Sequence, residues 1–96
     1  MKRIPLKTLP DAQQGDIDYQ VVLREVIRRP LDPKQGATIE ELRQSIRVMD
    51  ALDHANGTLE LEDADYQHLK LKLESMPWNV VDRRIVQLVD DVLGAS

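Results

Sequence analysis

TIEELRQSIRVMDALD, residues 38–53, holds the clearest helix signal in the chain. Thr38 and Glu41 have the T-x-x-E spacing of a capping box, in which each side chain bonds the other residue's free backbone N–H. Behind that cap, Ile39, Leu42, Ile46, Met49 and Leu52 recur at three- and four-residue intervals, with Val48 at their margin. This is the stripe of an amphipathic helix, and it predicts that the 39/42/46/49/52 face packs into the core. Asn56 and Gly57 suit a left-handed stop beyond it.

Upstream, Asp16 or Asp18 can cap a helix running to about Arg29, where Pro30 stops it. Tyr19, Val22, Leu23 and Val26 form its apolar face. Ile17, Tyr19, Val21 and Leu23 also alternate as a strand would, but Arg24 and Glu25 break the alternation and favour helix beyond Tyr19. PLDPKQG (30–36) reads as a loop. Downstream, Leu59 and Leu61 flank Glu60 in a short extended piece. A third helix then runs from about Glu62 to Met76, with Leu61 and Tyr66 at the spacing of a hydrophobic staple. Pro77 ends it. A fourth runs from about Val80 to Leu93, with Asn79 the expected cap and Gly94 the terminator. Pro5 and Pro10 keep the first residues extended. The predicted architecture is all-α: an arm and loop over 1–15, then one domain over 16–96. About four helices pack on one aliphatic core, with at most a very short β-ribbon. Leu42, Ile46, Met49, Leu69, Leu73, Ile85, Leu88 and Val92 are the expected heart of that core.

Composition agrees with a small globular domain: 42% hydrophobic and 31% charged residues in 96. Phe is absent and only Tyr19, Tyr66 and Trp78 are aromatic, so the core must be aliphatic. The absence of cysteine removes disulfides, thiol catalysis and thiolate metal sites. Residues 1–48 carry nine Lys/Arg against seven Asp/Glu, and residues 49–96 four against ten. The first excess is too small for a nucleic-acid footprint, and the acidic second half repels phosphate. No apolar run follows MKRIPLKTLPDAQQ, and no stretch nears the roughly 20 apolar residues that span a bilayer. A soluble, cytoplasmic protein without membrane partners is expected.

Chemical signatures are sparse. Asp50 lies four residues before His54 and Asp65 three before His68, spacings that share a helix face, and Asp53 is His54's neighbour in sequence. A helical di-metal site repeats Glu-x-x-His on two helices with added carboxylates, and that pattern is incomplete here. No serine or threonine sits in a nucleophile-elbow motif, and no glycine pattern cradles phosphate. Glycosidase-type carboxylate pairs have spatial rather than sequence spacing, but so small a helical domain rarely encloses their cleft. The expectation is no enzyme, no metal and no cofactor. The remaining candidates are partner-binding residues. In the arm these are Lys2, Arg3, Ile4, Leu6, Lys7 and Leu9, whose apolar members Pro5 and Pro10 keep from forming a helix stripe. The arm can dock on its own core, or reach a second copy whose acidic residues 60–65 would meet its basic side chains. Trp78, in the Met76-Pro77-Trp78 corner, is either a core plug or a binding anchor. Arg83 and Arg84 begin the fourth helix, and Asp90 and Asp91 end it, each at the pole that disfavours its charge. Asp82 can offset the arginines.

GDIDYQVVLREVI (15–27), ATIEELRQSIRVMDAL (37–52), LELEDADYQHLKLKLESMPW (59–78) and VVDRRIVQLVDDVL (80–93) together resemble a type of short accessory protein encoded in bacteriophage and prophage genomes. The resemblance brings no catalytic residues. It implies a particle-assembly factor, or a modulator of a host protein, acting in the host cell or within a phage assembly. The leading reading is a protein–protein interaction module, adaptor or modulator, that is oligomeric. The alternative is a nucleic-acid-associated regulator using the basic N-terminal half.

Overall fold

In the structure, a computed structural model describing residues 1–95, three short strands precede two helices, and a fourth strand and two further helices follow. β1 (Lys2–Pro5), β2 (Thr8–Leu9) and β3 (Ile17–Asp18) precede α1 (Tyr19–Arg28). α2 (Ile39–Asp53), β4 (Thr58–Leu61), α3 (Asp63–Ser75) and α4 (Arg83–Leu93) follow. Helix makes up 52% and strand 13%, in two antiparallel two-stranded sheets, so the fold is mixed α/β and not all-α. What the all-α reading lacked is the pairing of the arm. β1 runs against β4 with Ile4 opposite Leu59, and β2 runs against β3 with Leu9 opposite Ile17. The β1 and β4 partners lie more than fifty residues apart along the chain and leave no local sign of each other, so β1 alone reads only as extended chain.

Local chemistry places the helix starts. The Asp18 side chain accepts from Gln20 N at 2.9 Å and opens α1. The alternating start around Ile17 is therefore partly strand, and it becomes helix at Tyr19. Thr38 Oγ1 accepts from Glu41 N at 3.2 Å, but Glu41 does not return the bond. Its carboxylate accepts from Leu31 N at 3.1 Å instead, so only half of the capping box forms. α2 stops at Asp53, before Asn56, and Gly57 at φ +80° turns the chain into β4. The Gly57 carbonyl there accepts from Leu6 N at 2.9 Å. α4 starts later than expected because Asp82, not Asn79, is its cap, accepting from Arg84 N at 2.9 Å.

The core gathers Ile4 from the arm and Tyr19, Leu23, Val26 and Ile27 from α1. Val48 and Leu52 of α2, Leu59 and Leu61 of β4, Tyr66, Leu69 and Leu73 of α3, and Leu88 and Val92 of α4 complete it. Met49 and Ile85 are only partly buried, and Leu42 and Ile46 are exposed, which corrects half of the expected core. The Tyr66 hydroxyl donates to the carbonyl of Val92 at 2.7 Å, tying α3 to the end of α4. The radius of gyration is 13.1 Å, that of a compact chain of this length, and the β1–β4 pairing with buried Ile4 holds the arm against the body.

Candidate interaction surface

α2 is rotated relative to its own apolar stripe. Ile39, Leu42 and Ile46 are 61%, 46% and 53% exposed, while the buried line runs through Ser45, Val48 and Leu52 with Glu41 half-buried above them. The cause is a polar cluster between α2 and α3. Lys72 of α3 is 4% exposed. Its ammonium donates to the carbonyl of Ile27 at 2.8 Å and to Ser45 Oγ at 2.9 Å, and it pairs with the Glu41 carboxylate at 3.2 Å. Three protons meet three acceptors, which satisfies the ammonium. The Ile27 carbonyl lies in the last turn of α1, where helical partners run out, so Lys72 also caps that helix. Glu41 reaches on to Leu31 N and thereby ties the 30–37 loop to α2. A buried ammonium without such partners would be strongly destabilising, and the Glu41/Ser45 face of α2 supplies two of the three.

His68 completes the cluster, with Nε2 2.9 Å from Ser45 Oγ. Ser45 Oγ already accepts from Lys72, so its own proton is assigned to His68 Nε2, leaving the imidazole proton on Nδ1. Burial, then the Lys72 ammonium, holds the His68 pKa below the usual histidine value. Ser45 and His68 have the separation of a nucleophile and its base. Both are buried, however, and the hydroxyl is committed to Lys72. Chemically, the arrangement pins three helices together.

In front of the cluster lies a cleft of about 290 Å³. Its apolar lining is Ile27 and Pro30 on one side and Leu42, Ile46 and Met49 on the other, with Ser45 and Lys72 at its back. A second apolar patch flanks Trp78, which is itself half-buried, where Val80, Val81 and Val86 are exposed.

The candidates from the sequence divide sharply. Ile4 is fully buried, and Leu6 and Leu9 pack against the core. Lys2 Nζ lies 5.7 Å from the centre of the Tyr66 ring. Arg3 pairs with Glu60 at 3.7 Å and the terminal amine with Asp63 at 3.9 Å. Of the two placements open to the arm, docking on its own chain is the one observed, with Glu60 and Asp63 of the acidic stretch meeting it there. Asp91 accepts from the Tyr19 hydroxyl at 2.6 Å and pairs with Lys7 at 3.3 Å, which explains an acid at the wrong helix pole. These contacts, the tyrosine first, lower its pKa below the ordinary carboxylate value. Arg84 pairs with Asp82 at 2.9 Å and donates to the carbonyls of Leu9 and Gly15, clamping the 10–15 loop. Arg83 and Asp90 are exposed. His54 Nδ1 is 2.7 Å from the carbonyl of Asp50, and no three metal-ligating side chains converge among the described residues.

Sequence reasoning missed the Glu41–Ser45–His68–Lys72 cluster. Its one sequence trace is a polar pair at i, i+4 on each of two helices, Glu41/Ser45 and His68/Lys72. No family model, curated protein or solved structure matches the chain. No helix among the described residues is long and apolar enough to cross a membrane.

Proposed function

We propose that this chain is a non-enzymatic protein–protein interaction module, an assembly adaptor or modulator, that binds through the outward face of α2. The observation that supports this is the exposure of Ile39, Leu42 and Ile46 along one helix face beside an apolar cleft. Full burial of such a side chain contributes about 1.5–3 kcal/mol, and these three leave roughly half of that unrealised. Contiguous apolar patches on small proteins mark interaction sites more often than scattered single residues do. The phage-type setting rests on the sequence resemblance alone. The nucleic-acid alternative has less support: Arg3, Lys7, Arg24, Arg28, Arg43 and Arg47, six of the nine cations in residues 1–48, are each within ion-pair distance of a carboxylate of the same chain.

A photo-crosslinking residue at position 46, introduced in the cell that encodes the protein, tests the reading. A discrete crosslinked protein, absent when the same residue is placed at Gln87 on the exposed face of α4, is the expected result. Equal labelling from both positions overturns it.

A further inference from the structure

We infer that the partner seated on α2 is a second copy of this chain, paired antiparallel about a two-fold axis that crosses the helix near Ile46 and Arg47. The inference rests on the docking reading above and specifies its occupant. Ile39, Leu42, Ile46 and Met49 follow the alternating three- and four-residue spacing of a helix–helix seam. One flank of that seam is closed by the chain's own 30–37 loop, through Pro30 and Ala37 in the cleft wall. The open flank carries Arg43 and Asp50, both exposed, two helical turns apart and opposite in charge.

That pair is self-complementary in only one orientation. Parallel pairing sets Arg43 against Arg43 and Asp50 against Asp50. Antiparallel pairing about the dyad brings Arg43 of each copy toward Asp50 of the other, twice, as a two-fold interface requires. It also opposes the two helix dipoles. Arg43 is free to turn, since its present contact is an exposed 3.8 Å pair with Glu40 one turn away. The cleft between Pro30 and Ile46 then accepts an aliphatic side chain from the facing helix.

Sedimentation equilibrium of the full chain over a wide concentration range decides the matter. The wild type is expected to dimerise. Arg43→Glu and Asp50→Arg should each weaken the dimer about tenfold, since each loses two cross-pairs and sets like charges together. The double variant should return to within about threefold of wild type, because it restores the pairs in reverse. Leu42→Glu should be monomeric with an unchanged helical spectrum. A wild-type monomer at millimolar concentration overturns the inference, as does a dimer indifferent to both single charge changes or not rescued by the double. A monomer that nonetheless crosslinks from position 46 to a different protein refutes self-pairing and leaves the docking reading standing. A monomer without a discrete crosslink removes both.

Discussion

Lys72 and His68 show how one buried charge dictates its surroundings. The ammonium has the Ile27 carbonyl, Ser45 and Glu41 as partners, and removing it strands the largely buried Glu41 carboxylate. Lys72→Met should therefore cost about 3–5 kcal/mol in urea unfolding, as expected when one member of a buried pair is lost. Adding Glu41→Leu should recover much of that loss, because an apolar replacement of both partners leaves no uncompensated charge. His68 has the opposite sensitivity. Its pKa is lowered in the fold, so below about pH 6.5 the unfolded chain binds more protons than the native one. Its stabilising contribution is complete above that pH and is lost as the pH falls toward the folded value. The urea midpoint should accordingly decline from pH 7 to pH 5 in wild type and much less in His68→Gln. Asp91, whose pKa is also lowered, acts in a separate window, losing its contribution only as the pH falls through the carboxylate range. Neither His68 nor Lys72 could be assigned these partners from the sequence, because the partners lie on other helices.

Among the elements, α2 departs furthest from its amphipathic pattern. Periodicity located the helix and its Thr38 cap correctly, since both depend on residues a few positions apart. It misjudged the buried face, because Ile39, Leu42 and Ile46 are more apolar than the Glu41/Ser45 face that Lys72 engages. The two faces can be separated by mutation. Leu52→Ala should cost about 2–5 kcal/mol, whereas Ile46→Ala should change monomer stability by less than about 1 kcal/mol, read by chemical denaturation at dilute concentration. Equal losses would place Ile46 in the core after all. α4 tests a cap with a second duty. Asp82 accepts from Arg84 N and also orients the guanidinium that holds the Leu9 and Gly15 carbonyls. Asp82→Ala should cost about 1–2 kcal/mol by the same measurement, toward the upper end for a cap. Asn79→Ala should cost nothing comparable.

At the level of the whole molecule, the arm is structural. Ile4 is fully buried, β1 is the one strand paired with β4, and Arg3, Lys7 and the terminal amine are within ion-pair distance of acids of the same chain. Deleting residues 1–10 should lower the melting temperature substantially, by calorimetry, while dimerisation through α2 survives wherever the truncated chain remains folded. An unchanged melting temperature would mean that the arm is not part of the core. The sequence alone determined the four helices, the Thr38 cap and the stops at Pro30 and Pro77, because helix propagation, capping and proline geometry act over a few neighbouring residues. Tertiary structure decided the arm's pairing with β4, the partners of Asp91 and Arg84, and which side of α2 faces inward. Each of those depends on groups distant in sequence, and for α2 the requirement to satisfy the Lys72 ammonium prevailed over the more apolar stripe.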